Sequence, residues 1–309
     1  MKPKNKILRE GILAVLFLPL IMIPAFAAVE KLDSKTIEEL TGLKGSFNED
    51  ESVFKVTSPR NDVAVSVDQR PLSPFMGLTS WAAFTKGGKK NFMVMGDVVL
   101  FQDEVNPVMS AALDSGLQVT ALHNHFFFDD PKVYFMHIGG EGSTEQLASA
   151  VRKVLDQVKE IRSANPNPVN SFGNSDISQA NAINAKIIED ILGVKGQSKD
   201  GMFKVTIGRK TKMSCGCEVG KDMGVNTWAA FGGSDDKAIV DGDFVVHGDE
   251  MQSVLKTLRQ ANINIVAIHS HMVEETPRLL FIHYWGIGST TDLSKGLKAA
   301  LEIQPLKKR

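Results

Sequence analysis

Two segments of this chain spell one pattern. Ala121-Leu-His-Asn-His125 is followed by Pro131-Lys-Val-Tyr-Phe-Met-His137 and then Gly139-Gly-Glu-Gly142-Ser143. Ala267-Ile-His-Ser-His271 is followed by Pro277-Arg-Leu-Leu-Phe-Ile-His283 and Gly286-Ile-Gly288-Ser289. The pairs His123/His269, His125/His271, Pro131/Pro277, His137/His283 and Gly142/Gly288 are each 146 residues apart, so six of the seven histidines fall into two copies of H-x-H-(x11)-H. The chain therefore carries its own comparison, in which what both copies keep is visible without any relative.

The likeness extends outward from the histidines. Ile37-Glu-Glu-Leu-Thr-Gly42 is echoed by Ile188-Glu-Asp-Ile-Leu-Gly193, Phe54-Lys-Val-Thr57 by Phe203-Lys-Val-Thr206, and Trp81-Ala-Ala-Phe84 by Trp228-Ala-Ala-Phe231. Residues 34–43 read as a short helix with Ser34 as cap and Gly42 or Gly45 at its end. Residues 92–101 and 238–246 are apolar runs of strand length, too continuous for a sheet with one bare face. Both are interrupted by Gly-Asp, at Gly96-Asp97 and Gly242-Asp243. Residues 103–115 place Val105, Val108, Met109, Ala112 and Leu113 on one helical stripe, with Asp103 as cap and Gly116 as stop. Residues 249–261 repeat that stripe with Met251, Val254, Leu255 and Leu258. A helix between two strands is a β-α-β crossover, right-handed if the strands are parallel. Each copy closes on a helix opened by a capping-box pattern, Ser143-Thr-Glu-Gln146 and Ser289-Thr-Thr-Asp292; an anion site at the same helix start is the alternative. The fold class is α+β: two homologous repeats, 28–162 and 176–309, each a mixed β-sheet with packed helices, joined by a turn-rich linker at 163–175 and related by a pseudo-twofold.

The chemistry lies in the histidine strands. Side chains alternate along a strand, so Val119, Ala121, His123 and His125 share a face. A three-residue hairpin at 129–131 would set His123 opposite His137 with His125 one diagonal step away, and the same arithmetic sets His269 opposite His283. Imidazoles converging from adjacent strands are metal ligands, so His123, His125 and His137 form one candidate site and His269, His271 and His283 a second. Zinc is the default ion for three histidines, with copper or iron as alternatives. Asp97 and Asp243 need partners inside apolar strands, and orienting a metal-bound histidine is one such role; a turn or bulge is the other explanation of Gly-Asp. Trp81 and Trp228 read first as buried aromatics pinning two layers, and second as pocket walls.

Lys2, Lys4, Lys6 and Arg9, the apolar residues 11–24 and Ala25-Phe26-Ala27 have the three-part form of a secretory signal peptide over residues 1–27. The apolar run is short of a span and holds two prolines, so no stable membrane span is expected after cleavage. The expected location is exported, periplasmic or extracellular. Without residues 1–27 the chain keeps 31 basic and 35 acidic side chains, a net charge of −4. That balance gives no footprint for nucleic acid. Cys215 and Cys217 are the only cysteines and make no disulfide framework; a strained bridge, a soft-metal site and a redox pair remain open.

Met95-Gly-Asp-Val-Val, Asp103-Glu-Val-Asn-Pro-Val-Met109, Thr120-Ala-Leu-His-Asn-His125 and Met136-His-Ile138 resemble the LppY/LpqO family over most of the mature chain. The resemblance implies an exported bacterial protein, often lipoprotein-linked, with no established biochemical role. The chain departs from it in lacking a lipobox cysteine and in carrying Glu141 where the family implies a further histidine. Three functions follow. The first is metal binding with an open coordination position, making a metal-dependent hydrolase of the cell envelope in which Glu141, or Glu274 or Glu275 in the other copy, is the candidate general base. Glu141 aligns with Ile287, so a mechanism common to both repeats cannot use it. The second is a non-catalytic protein that handles metal or binds a small-molecule or envelope ligand. The third, a cupin-like oxygenase or isomerase prompted by His269-x-His271-x-x-x-Glu275, fits poorly because a helix precedes the histidine strand.

Overall fold

A computed structural model describes residues 32–88, 92–172 and 177–304. The signal peptide expected over residues 1–27 lies outside the described residues. In the first repeat the chain runs α1 (Ser34–Thr41), β1 (Gly45–Asn48), β2 (Val53–Pro59), β3 (Thr79–Lys86), β4 (Phe92–Phe101), α2 (Gln102–Asp114), β5 (Gln118–His123), β6 (Val133–Gly142) and α3 (Thr144–Ala164). The second repeats it as α4 (Ala185–Leu192), β7 (Gly196–Lys199), β8 (Met202–Gly208), β9 (Asn226–Gly233), β10 (Ala238–His247), α5 (Met251–Gln260), β11 (Asn264–His269), β12 (Leu279–Gly288) and α6 (Thr290–Ile303). The fold is α+β and built of two repeats.

These twelve strands join one sheet, in the order β1-β2-β3-β4-β6-β5-β11-β12-β10-β9-β8-β7, and shorter strands of two residues form two small sheets beside it. Its strand pairs are antiparallel. The crossover strands β4 and β5 are parallel to each other, but β6 lies between them and pairs with both. The repeats meet where β5 and β11 touch at Leu122 and Ile268, so the sequence boundary between them runs through a continuous sheet. Two side-chain amides secure that seam reciprocally. Asn106 on α2 accepts from Ile265 N at 2.7 Å and donates to Ile265 O at 3.1 Å, across to the other repeat. Its counterpart Gln252 on α5 does the same to Val119, with both bonds 2.9 Å. Val119 and Ile265 each sit where the ladder slips by one residue before Ala121 and Ala267, so the clamps satisfy backbone groups that bulges leave free.

One sheet face carries the helices. Val94, Val98, Leu100, Met136 and Ile138 pack there with Val105, Val108, Met109 and Ala112 of α2 and Leu147, Val151 and Val154 of α3. The opposite face is covered over only part of its area, by a small core of Val65, Leu78, Val99, Phe101, Val133 and Phe135 in the first repeat and Val225, Val245, Leu279 and Phe281 in the second. This explains why residues 92–101 read as continuously apolar: β4 alternates in burial at its start and is buried on both faces at its end. Gly96 and Gly242 mark no bulge, since both strands pass straight through them. A Cβ at Gly242 would lie 2.4 Å from Trp228 O, and one at Gly96 2.7 Å from Trp81 O, so close strand approach requires glycine.

Local signals differ from expectation by a residue or two at the helix starts. Asp33 rather than Ser34 caps α1, accepting from Lys35 N and Thr36 N at 3.1 Å each. On α2 it is Glu104 that reaches back to Phe101 N, at 2.8 Å, while the Asp103 carboxylate is drawn away to Arg162. Ser143 and Ser289 cap as expected, accepting from Gln146 N at 3.2 Å and Asp292 N at 3.0 Å.

Candidate metal centre

Each histidine cluster sits where two strands end beside a carboxylate-bearing neighbour. Asp97 is registered against His137, and His137 against Ala121. Asp243, His283 and Ala267 repeat the row. His123 consequently faces Phe135 and His269 faces Phe281, two residues from the expected pairing with His137 and His283. The expected tight hairpin at 129–131 does not form, because Asp129–Asp130 pairs instead with Val67 and Ser66 and the connection spans residues 124–132. The shift is even, so all six histidines stay on one face.

In the second repeat the polar atoms converge. His271 Nε2 lies 3.1 Å from His269 Nε2 and 3.2 Å from Asp243 Oδ2, and His269 Nε2 lies 3.9 Å from the same oxygen. Among the described residues, Asp243, His269 and His271 are the one group of three such side chains with ligand atoms all within 4.8 Å of one another. The sequence reading placed Asp243 behind the histidines; its carboxylate stands among their nitrogens, with a side chain 3% exposed. Its Oδ1 is buried with no hydrogen-bond partner among the described residues. His283 stacks on His269 with centroids 4.7 Å apart and lies edge-on to Trp228 at 6.5 Å.

Backbone carbonyls set the tautomers. His271 Nδ1 is 3.1 Å from Gly224 O and His283 Nδ1 is 3.1 Å from Gly242 O. A carbonyl oxygen can only accept, so each Nδ1 carries the hydrogen and each Nε2 presents a lone pair. This is the arrangement of a histidine held ready for a metal. Phe281 supports the His271 ring from below at 3.6 Å between centroids.

The first repeat keeps the residues but not the closure. His123 stacks on His137 at 5.1 Å and lies 5.1 Å from His125, while Asp97 Oδ2 reaches His137 Nε2 at 3.9 Å. His125 lies flat on Phe135 at 3.3 Å with Phe126 edge-on at 5.9 Å. Burial holds His123 and His125 below the ordinary imidazole value; for His123 the neighbouring His137 and His125 add to it, and Asp97 opposes it in both. His269 is likewise lowered, first by burial and then by His283 and His271 against the opposing pull of Asp243. Neutral imidazoles are the ligating form.

Trp81 and Trp228 are half-buried on the histidine face, opposite Asp97 and Asp243, and each lies under a lysine: Lys55 Nζ is 4.4 Å and Lys204 Nζ 4.1 Å from the ring centre. Trp228 is the one of the two with a ring contact to a site histidine, His283, among the described residues. Glu141 lies four residues along β6 from His137, about 13 Å at strand rise, so it is not brought to the histidines. Glu274 is exposed, and the Glu275 carboxylate accepts from Leu279 N at 2.9 Å, as Asp129 does from Val133 N at 2.7 Å. Both staple the loop behind the site. A cleft of about 460 Å³ opens beside His283, between Tyr134, Val266, Asp241 and Trp285. Sequence reasoning missed Gly224 and Gly242, whose carbonyls accept from His271 and His283, the Phe135/Phe281 platforms and the Asn106/Gln252 clamps. The last two pairs keep the 146-residue spacing and were visible in it.

The model of one protein family matches residues 35–157 and again residues 186–303. The chain belongs to the family described as Domain of Unknown Function (DUF1259). Its two matched segments coincide with the two histidine repeats. No curated protein matches the chain. Among solved structures, a trimeric bacterial microcompartment shell protein, PduB, aligns at 11% identity over 84% of this chain and 89% of its own, with a TM-score of 0.18. The double-ringed trimeric shell protein MSM0271 from the RMM microcompartment aligns at 9% identity over 81% and 93%, also at 0.18. Likeness at that score carries neither fold nor assembly across. No helix among the described residues is long and apolar enough to cross a membrane.

Proposed function

We propose that this is an exported metal-binding protein in which Asp243, His269 and His271 hold a divalent ion, zinc by default and copper or iron as alternatives. His123, His125 and His137, with Asp97, form the weaker copy. One observation carries the reading: a carboxylate oxygen and two imidazole nitrogens, with His271 Nε2 fixed as a lone pair by Gly224 O, face one another at 3.1–3.9 Å. Acceptors so placed repel unless a cation or a proton lies among them. Export rests on residues 1–27 and on the LppY/LpqO resemblance.

Bound zinc activates water at neutral pH and polarises carbonyl or phosphoryl oxygens, and a metal-dependent hydrolase of an envelope small molecule is the activity that fits. The side chain placed to take up a proton is then His283, not Glu141. Its Nδ1 is tied to Gly242 O, its Nε2 makes no hydrogen bond among the described residues, and it borders the cleft with Asp241 and Trp285. A non-catalytic metal-handling role is the second reading, favoured by the commitment of Glu275 to Leu279 N. Elemental analysis of untagged protein from its native compartment tests the binding. About one ion per chain, lost in Asp243→Asn and His271→Ala, is the expected result; protein that is metal-free and takes up no zinc, copper or iron overturns it. Turnover of ester, amide or phosphoester substrates that His283→Gln abolishes while the ion stays bound would mark the hydrolase, and ion without turnover the binder.

A further inference from the structure

The two repeats differ in one hairpin. In the first, residues 66–67 and 70–71 pair across a two-residue turn whose Asp68 and Gln69 have φ of 47° and 65°. In the second, Thr211–Lys212 and Glu218–Val219 pair the same way, but residues 213–217 connect them. The three extra residues bring in both cysteines of the chain. Met213 N donates to Cys217 O at 2.9 Å and Gly216 N to Met213 O at 2.8 Å, a turn that needs Gly216 at φ 83°. Within it Cys217 N points at Cys215 Sγ, 3.4 Å away, and both thiols are free and exposed. Their mutual hydrogen bond lowers the Cys215 thiol and raises that of Cys217.

This turn is held, not loose. Lys212 and Thr276 exchange backbone hydrogen bonds at 3.3 and 2.8 Å, Thr211 Oγ1 donates to Pro277 O at 3.1 Å, and Lys210 pairs with Glu218 at 2.6 Å. Val219 packs with Met272 against the small core of Val225 and Phe281. The same segment continues to Gly224, whose carbonyl orients His271. Paired thiols fixed on a framed turn form a chelate whose conformational entropy is already spent.

We propose that Cys215 and Cys217 form a second, separate metal site, a dithiolate that takes one soft monovalent ion, Cu(I), beside the imidazole and carboxylate centre. Thiolate selects Cu(I), whereas the Asp243 centre has the harder donors of a divalent ion. On binding, both thiols release their protons to solvent and two sulfur-copper bonds form, with no change in oxidation state. The site stands independently of the proposed function.

The test is titration of the reduced full-length mature protein with Cu(I) buffered by bathocuproine disulfonate, read by competition and by the thiolate-to-copper absorption in the ultraviolet. One Cu(I) per chain is expected in the wild type and in His269→Ala/His271→Ala, and none at that affinity in Cys215→Ser/Cys217→Ser. Co(II) titration of the cysteine variant, whose substitutions lie in an exposed turn, reports separately on the histidine centre and on folding. Cu(I) binding that survives the double serine substitution, or reduced protein that binds none, overturns the proposal. So does native protein whose two sulfurs form a disulfide that the glutathione pool cannot reduce.

Discussion

Asp243→Asn should reverse the sign of its effect on stability according to whether metal is present. The carboxylate is 3% exposed, its Oδ1 has no partner among the described residues, and its Oδ2 faces His271 Nε2, which presents a lone pair. In metal-free protein at pH 8, above the ordinary imidazole range, this is an uncompensated buried charge. An asparagine removes the charge, and its Nδ2–H can donate to His271 Nε2 across the 3.2 Å that Oδ2 now keeps. A neutral hydrogen bond is worth ~1 kcal/mol, and relief of burial adds at least as much, for a gain of ~2 kcal/mol. For a body of this size ~2–4 °C accompanies each kcal/mol, so Tm in EDTA should rise by about 4–8 °C. Zinc at a hundredfold excess over Kd adds ~2.7 kcal/mol to the wild type, or about 5–11 °C, and little to the variant. Calorimetric scans of both proteins with EDTA and with zinc decide the matter. An asparagine variant that is no more stable in EDTA, together with equal zinc shifts in both proteins, would refute the cation-site account of this cluster.

Other perturbations separate site from scaffold. Glu104 is fully buried and binds Arg60 Nη1 and Nη2 at 2.7 and 2.9 Å and pairs with Arg162 at 2.8 Å, so Glu104→Gln leaves the two guanidiniums with Asp62 and Asp103 as their carboxylate partners and should lower stability by ~1–3 kcal/mol in urea titrations. Glu250→Gln should lose less, because Arg209 is 17% exposed where Arg60 is 6%. Asn106→Ala and Gln252→Ala each free one buried N–H and one C=O at the seam, and denaturant melts should show ~1–3 kcal/mol lost from either. In metal-free protein, His123, His125 and His269 bind protons less readily folded than unfolded, so stability should be full above pH 6.5, their ordinary value, and fall as pH drops through it; melting scans from pH 8 to 5 that stay flat would contradict this. His123→Ala/His125→Ala should leave zinc bound at the second cluster by equilibrium dialysis, while loss of all metal would mean one shared site.

Periodicity and the internal repeat made the helices, the long strands and the shared histidine face legible, because each depends on side chains within a few positions of one another. The buried apolar stripes of α2 and α5 are those expected, and α2 buries Glu104 besides. Register was less legible. His123 faces Phe135 rather than His137 because Asp129–Asp130 finds a backbone partner 63 residues upstream, at Ser66–Val67, and nothing local announces a bond to so distant a segment. Capping failed for a related reason: Asp103 looks like an N-cap in sequence, but Arg162 at the far end of α3 claims its carboxylate. The role of Asp243 was misjudged in placement and not in kind, since its need for a partner follows from burial alone.

The inequality of the two clusters traces to one carbonyl. Gly224 and Gly77 hold equivalent positions at the ends of short 3-10 turns, both with left-handed φ. A Cβ on Gly224 would lie 3.5 Å from His271 Nδ1, whereas one on Gly77 would lie 3.8 Å from Phe126, the residue standing where the second repeat has Met272. Phe126 thus occupies the space between turn and histidine in the first copy, and among the described residues no hydrogen bond fixes the His125 ring. An imidazole packed against Phe135, Phe126 and His123 without a hydrogen bond among the described residues can rotate about its own axis, and Asp97 accordingly reaches His137 alone. In the second copy the slimmer Met272 lets Gly224 O bind Nδ1, which turns Nε2 towards Asp243 and closes the triad. Duplication supplied two sets of candidate ligands, and the residue after the second histidine of each set determines which of them is aimed.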